Sequence, residues 1–128
     1  MPIAAIEVRR AYAREQEIGI IDAVHAALVE ALKIPDRTIT IRFITHELHR
    51  LTADQRRDDR FSLVTVDLFP GRSIEAKQRL YAAIARNLAE FGIPPDYVKV
   101  LLREAPRENW GIGGVAASAI DLEYDIEV

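Results

Sequence analysis

The second residue of the chain is a proline, and a proline at a chain terminus offers an amine that can move protons. The segment Ile3–Val8 after it reads as a short strand that begins at the terminus. Removal of Met1, which is efficient before proline, would leave Pro2 with a secondary amine held in place by that strand. An α-amino group titrates near pH 8 in water, and burial or a nearby positive charge lowers its pKa. Pro2 is therefore a candidate general acid and base that needs no side chain.

The three histidines indicate structural rather than chemical roles. His46 and His49 flank Glu47-Leu48, which is one residue shorter than the His-Glu-x-x-His zinc motif, and no third ligand is evident. His25 lies at the edge of the apolar stripe of the first predicted helix, where a half-buried structural histidine is the preferred interpretation. The sequence therefore predicts no metal and no other cofactor.

Composition restricts the class of protein. The 128 residues include 17 basic and 20 acidic side chains, mixed along the chain, and no cysteine. The absence of a basic stripe argues against nucleic-acid binding, and no apolar run is long enough for a membrane span or a signal peptide. Without cysteine there is neither a disulfide framework nor a thiolate nucleophile. We therefore expect a cytoplasmic globular protein of one domain.

Two similar halves divide this domain, because the turns Ile34-Pro35 and Ile93-Pro94 are 59 residues apart. Each half reads strand, helix, turn, strand. We predict repeat one at about residues 2–45, a linker at about 46–61, repeat two at about 62–104 and a C-terminal loop and strand at 105–128. The predicted strands are Ile3–Val8, Thr38–Ile44, Ser62–Phe69 and Tyr97–Arg103, and the predicted helices are about Arg14–Lys33 and Ile74–Phe91.

The expected fold is α/β (α+β), with two tandem β-α-β repeats that form a four-stranded sheet with both helices on one face. The apolar stripes of the helices are Ile21, Val24, Leu28, Ala31 and Leu32 in the first, and Leu80, Ile84, Leu88 and Phe91 in the second. The other sheet face also looks apolar, which favours burial against further copies of the chain. The alternation of Ile120–Val128 predicts an additional half-buried strand, in this subunit or on a neighbour.

These features together resemble the tautomerase superfamily, whose type member is 4-oxalocrotonate tautomerase. The resemblance rests on the Met1-Pro2 start with its Pro-Ile-Ala-x-Ile opening, the duplicated β-α-β unit, the segment Phe69–Lys77 and the segment Glu108–Gly111. It is strongest to fused two-repeat members related to malonate semialdehyde decarboxylase and cis-3-chloroacrylic acid dehalogenase. It implies a homotrimer, an amino-terminal proline that acts as acid and base, and arginines that hold the carboxylate of a 2-oxo or enol acid.

Carried onto this sequence, the resemblance makes Pro2 the catalytic residue and Arg72 and Trp110 substrate-binding residues. An arginine at the start of a helix can present a fork of donors where a carboxylate also meets free backbone N–H groups. Arg72 could also be a surface arginine in a tight turn. Trp110 could form an apolar wall that excludes water, or it could be a core or trimer-contact residue.

The sequence departs from the relatives at the positions that give them other chemistry. Decarboxylase-like members carry an aspartate where this chain has Thr38 and a second arginine where it has Pro70. The tyrosine and glutamate with which the dehalogenases activate water align with Leu101 and Ile112. We therefore expect a tautomerase, that is, an isomerase of small carboxylate-bearing substrates. The alternatives are a decarboxylase or hydratase of a 3-oxo acid on the same proline, and a non-catalytic trimeric scaffold.

Overall fold

Six strands and two α-helices, joined by loops and short 3-10 turns, make up the chain. The computed structural model describes all residues, 1–128. The strands are β1 (Ile3–Val8), β2 (Thr40–Thr45), β3 (Ser62–Leu68), β4 (Val98–Glu104), β5 (Gly111–Ile112) and β6 (Val115–Ala116), and the helices are α1 (Arg14–Leu32) and α2 (Ile74–Ala89). The order of the elements confirms the two β-α-β units predicted from the sequence.

The four longer strands form one mixed sheet in the order β2-β1-β3-β4. Within each unit the two strands are parallel, and the units join through the antiparallel pair β1 and β3. In this register Ile3 lies opposite both Thr40 and Asp67, and Asp67 lies opposite Arg103. The start of β1, next to Pro2, therefore lies at the same end of the sheet as the carboxyl ends of β3 and β4.

Both helices pack against each other and against one face of the sheet, as predicted. Every second residue of β1 and β3 faces them and is fully buried, for example Ile6 and Val64. In α1 the buried stripe includes Ile20 rather than Ile21, which is only partly buried. The helices contribute the buried residues Ile20, Val24, Ala27, Leu28, Ala31 and Leu32 from α1, and Ala76, Leu80, Ala83, Ile84 and Leu88 from α2. Neither helix is both long and apolar enough to cross a membrane.

Two element boundaries differ from the prediction by two residues, and several others differ by one. The strand expected from Thr38 begins at Thr40, because Asp36–Thr38 form a 3-10 turn closed by a bond from the Thr38 N–H to the Pro35 carbonyl. The second helix ends at Ala89 rather than Phe91, since the chain turns through Gly92 at φ 76°, a conformation that favours glycine.

The second face of the sheet is mixed rather than uniformly apolar. Its centre is small or apolar, and Leu101 on β4 is 53 % exposed there. Charged residues surround this centre and partly pair with each other, as in the ion pair of Arg103 with Asp67 at 2.9 Å. By register, the face carries Ile3, Ala5, Thr40, Ile44, Leu63, Thr65 and Leu101 together with Glu7, Arg42, Asp67, Lys99 and Arg103. An uncovered apolar centre within a charged rim is typical of an interface between subunits.

The tail after Ile120 differs from the prediction, because it forms no strand. The alternation itself is present: the even-numbered residues Ile120 to Val128 are half-buried, and the odd-numbered ones between them are exposed. The tail crosses the end of the sheet, where Tyr124 contacts Met1 and the main-chain oxygen of Val128 accepts a bond of 2.7 Å from the Ser73 hydroxyl. A segment that crosses strand ends has no strand beside it with which to form a hydrogen-bond ladder.

Candidate active site

The start of the chain opens into the largest cavity of the structure, about 540 Å³ in volume. Its walls come from the start of β1, the turn before β2, the loop before β5 and the C-terminal tail. The lining residues are Met1, Ile3, Arg37, Thr38, Thr40, Trp110, Gly111, Ile112, Ile120, Asp121, Leu122, Glu123 and Tyr124. The volume is that of a small-molecule site.

The amine of Met1 lies at this cavity and makes a hydrogen bond with the Tyr124 hydroxyl. Burial and, secondarily, the positive charge of Arg72 lower the pKa of this amine to about 5. Pro2 lies one residue deeper and is buried, and its carbonyl accepts a bond of 3.2 Å from the Thr40 N–H. The Met1 amine is therefore a free base at neutral pH.

Arg72 is a buried cation next to the start of α2. Only 6 % of it is exposed, and its Nη1 donates to the Phe69 carbonyl at 3.2 Å. Its Nε and Nη2 have no hydrogen-bond partner of good geometry, although the Tyr124 hydroxyl lies nearby. Burial lowers the pKa of Arg72, and the neighbouring Tyr124 and Glu104 partly offset that effect. Two unpaired donors on a buried guanidinium are a suitable partner for a carboxylate.

The turn before α2 fixes this arginine. Gly71 has φ 129°, which residues with a side chain rarely adopt, so the chain can bend sharply between β3 and α2. Ser73 then caps the helix by accepting a bond of 3.1 Å from the Ala76 N–H. Arg72 is thereby held between the end of β3 and the positive end of the helix dipole.

Trp110 forms part of the cavity wall. Its ring meets the buried Phe69 ring edge to face, with the centroids 5.0 Å apart, and its Nε1 donates to the Ala105 carbonyl at 3.1 Å. Arg107 lies over the same Phe69 ring, 5.9 Å from its centroid. The indole N–H therefore has a hydrogen-bond partner, and the ring is held in place with an apolar surface toward the cavity.

Sequence reasoning missed Tyr124. This residue lines the cavity, contacts the terminal amine and lies next to Arg72. Its signal in the sequence was its position as the one aromatic residue on the half-buried side of the alternating tail. That signal could not show which part of the molecule the tail would cover.

The structure places the three predicted site residues at one end of the sheet. Trp110 and the Met1 amine that precedes Pro2 face the cavity, whereas Arg72 is buried beside Tyr124 and does not line the cavity while Met1 is in place. Arg72 is close enough to the amine for its charge to act there.

The other residues considered in the sequence lie in different parts of the structure, some at the cavity and some far from it. Thr38 and Ile112 line the cavity, and the Thr38 hydroxyl donates to the Pro35 carbonyl at 2.8 Å. Leu101 lies on the second sheet face. His25 bonds the Asp36 carbonyl at 2.8 Å and His46 bonds Glu7 at 2.9 Å, both structural contacts. No three metal-ligating side chains lie together.

A family model and several known proteins similar to this chain all point to one family. A family model described as "Tautomerase enzyme" matches residues 36–113, more than half of the chain. A probable tautomerase of Ralstonia nicotianae is 38% identical over 58 residues, which are 44% of this chain and 83% of the relative. The 2-hydroxymuconate tautomerase of Comamonas testosteroni is 39% identical over 54 residues, 41% of this chain and 86% of the relative.

Several solved structures match nearly the whole chain. FG41 malonate semialdehyde decarboxylase, inhibited by 3-bromopropiolate, is 34% identical with a TM-score of 0.76, and the match covers 91% of this chain and 92% of that one. A wild-type fused 4-OT, a symmetric trimer, has a TM-score of 0.84 at 18% identity over 92% of this chain and 99% of its own, which supports the fold. The protein belongs to the tautomerase family of enzymes.

Proposed function

We propose that the protein is a tautomerase of 2-oxo or enol acids that uses the amine of Pro2 as its acid and base. The observation that supports this most strongly is the lowered pKa of the terminal amine at the cavity, about 5 for Met1. In the full chain the Pro2 nitrogen is an amide, so the proposal requires removal of Met1. Pro2 is buried and lies at the same end of β1, so its amine would experience the same desolvation.

The reaction would transfer one proton along a conjugated acid. Pro2 nitrogen takes the proton from the enol oxygen as the carbonyl forms, and the electron pair moves along the chain to the conjugate carbon. That carbon then takes the proton back from Pro2, so the amine is regenerated. In the space that Met1 leaves, the substrate carboxylate comes next to Arg72, which neutralises it and the charge that develops on the dienolate. Trp110 provides an apolar wall that keeps water from the dienolate.

The relatives support a class of substrate and an assembly. Two relatives that are 39% and 35% identical are 2-hydroxymuconate tautomerases, whose substrate is an enol acid. Structurally similar fused 4-OT proteins are trimers. We propose a small carboxylate-bearing substrate and a homotrimer in which the second sheet face is covered.

A comparison of Pro2→Ala with wild type tests the base. Intact-mass analysis first establishes that Met1 is absent in both proteins. Wild type should then ketonise 2-hydroxymuconate faster than buffer, and Pro2→Ala should lose most of that rate although it keeps a primary amine. Equal rates in the two proteins, or retention of Met1 in active protein, would contradict the proposal.

A decarboxylase is the second candidate, because the chain is 34% identical to FG41 malonate semialdehyde decarboxylase over nearly its whole length. The residue types at Thr38 and Pro70 count against it, since neither supplies the charge expected there. Turnover of malonate semialdehyde by wild type distinguishes the two: we expect none, and rapid decarboxylation would favour the second candidate. A trimer inactive with both substrates would favour the scaffold.

A further inference from the structure

The hydroxyl of Tyr124 is the polar side-chain group that meets the terminal nitrogen of the chain. The ring packs against the hydrophobic core and lines the cavity, and the tail continues to Ile126, whose side chain packs against Gly71. The tail is anchored further by the bond from Ser73 to Val128. The hydroxyl is therefore held by packing on both sides and does not depend on its bond to Met1.

The position of Met1 shows what the hydroxyl would contact in the processed protein. One extended residue spans about 3.5 Å, so loss of Met1 leaves a gap of that order between the Pro2 amine and the place of the Met1 nitrogen, with the hydroxyl one hydrogen bond beyond it. The nitrogen of Met1 now occupies the far side of this gap. A small 2-oxo acid that replaces Met1 would place a carbon next to Pro2 and a polar atom where the Met1 nitrogen lies.

The charge state of Tyr124 suits it to donate a hydrogen bond. Burial raises the pKa of the phenol, with Arg72 and Arg107 acting in the opposite direction, so it is neutral at neutral pH. A neutral phenol that donates to an oxygen stabilises negative charge as it develops there. Arg72 lies beside the hydroxyl. In a 2-oxo acid the carboxylate is bonded to the carbon that bears the 2-oxygen, so one such ligand can meet both groups at once.

We propose that Tyr124 is a further catalytic residue, whose hydroxyl donates a hydrogen bond to the 2-oxygen of the substrate while Arg72 holds the adjacent carboxylate. This inference rests on the proposed function and adds to it the group that recognises the oxygen. Its consequence is specificity: Tyr124 should distinguish a 2-oxo acid from a plain carboxylate, whereas Arg72 should bind both.

The test compares wild type, Tyr124→Phe and the control Tyr81→Phe, all with Met1 removed. Tyr81 lies on α2 and does not line this cavity. Calorimetry measures the affinity for 2-oxobutanoate and for butanoate, and the melting temperature checks the fold.

Tyr124→Phe should bind 2-oxobutanoate about 10-fold more weakly, since it loses one hydrogen bond, and its affinity for butanoate should be unchanged. It should also lower kcat about 10- to 100-fold. Tyr81→Phe should match wild type in every measurement.

The result separates this inference from the proposed function. If Tyr124→Phe binds both ligands as wild type does, or weakens both equally, the hydroxyl does not recognise the 2-oxygen and the inference is overturned. That comparison requires no turnover, so it stands even if Pro2→Ala proves as active as wild type. Conversely, inactive Pro2→Ala together with fully active Tyr124→Phe would support the base and overturn the role of Tyr124.

Discussion

At the scale of single residues, the candidate site is unusual because its buried cation, Arg72, has hydrogen-bond donors without partners. Arg72 is 6 % exposed, and two of its three guanidinium nitrogens lack a partner. Such groups are costly to bury, so natural proteins retain them mainly where a ligand or a reaction uses them. The proposed substrate carboxylate would supply the missing acceptor.

Replacement of Arg72 should therefore reduce catalysis more than stability. We expect Arg72→Ala to reduce kcat/KM by a factor of about 30 to 1000, which corresponds to a loss of roughly 2 to 4 kcal/mol in transition-state stabilisation. The melting temperature should change little. Arg72→Lys should restore little, because a point charge cannot replace the planar fork. Steady-state kinetics would measure both variants. The control is Arg86→Ala, which removes an exposed arginine of α2 paired with Glu30 and should retain wild-type activity. An Arg72→Ala variant as active as the control would remove Arg72 from the site.

The residues of the candidate site differ in how far the sequence could predict them. Pro2, Arg72 and Trp110 could be proposed because each belongs to a segment that carries the resemblance to the tautomerase superfamily: the start of the chain, the segment Phe69–Lys77 and the segment Glu108–Gly111. Tyr124 could not, because its role depends on where the tail, 123 residues after Met1, returns across the sheet. The burial of Arg72 beside Tyr124 was missed for the same reason.

At the scale of elements, the turn between β3 and α2 and the C-terminal tail form one unit. Gly71 provides the bend at φ 129°, and a Cβ there would lie 2.9 Å from Cγ2 of Ile126. The same turn positions Arg72, and the same tail positions Tyr124. A change at Gly71 should therefore disturb both groups at once.

Gly71→Ala should lower both stability and activity. The backbone conformation is strained for alanine, and the new methyl group would displace Ile126, so we expect a loss of more than about 1 kcal/mol in the free energy of unfolding. Urea denaturation would measure the loss, and kcat/KM would fall as the tail moves. Gly111→Ala is the control, because Gly111 lines the same cavity with no atom within 4 Å of the added Cβ and without a positive φ. Equal stability of the two variants would show that the turn tolerates alanine.

The main elements could be predicted because their patterns are local. Period 3.6 in the helices and buried runs in the strands give their positions to within two residues, for example Ser62–Leu68 against the expected Ser62–Phe69. The tail shows the limit of this reasoning. Its alternation correctly indicated one half-buried side, but a strand also needs a neighbour for its backbone, and no sequence pattern in the tail encodes that neighbour.

At the scale of the whole molecule, the second sheet face is the surface that we expect neighbouring subunits to cover. A homotrimer of 14.4 kDa subunits should sediment as one species. Leu101→Arg places a charge in the apolar centre of this face, near Arg103, and should dissociate the trimer in sedimentation velocity. Ile18→Arg is the control, because Ile18 is 49 % exposed on α1, on the opposite side of the sheet. A stable monomer of the wild type at micromolar concentration would contradict the assembly.

The central claim is that the amine of Pro2 is a free base at neutral pH, and its titration tests that claim most directly. In protein labelled with ¹⁵N-proline and freed of Met1, the pH dependence of the Pro2 nitrogen shift gives the pKa of this amine. We predict a pKa well below the usual value of about 8, because burial and Arg72 both disfavour the protonated form. Since the free amine is the base, kcat/KM should rise with pH through the same pKa and then level off.

The same titration in Arg72→Ala separates the two causes. Loss of the positive charge should raise the pKa of Pro2 only part of the way toward 8, because burial, the larger cause for the terminal amine, remains. A wild-type pKa of about 8 or higher, or a Pro2 nitrogen that does not titrate at all, would contradict the account.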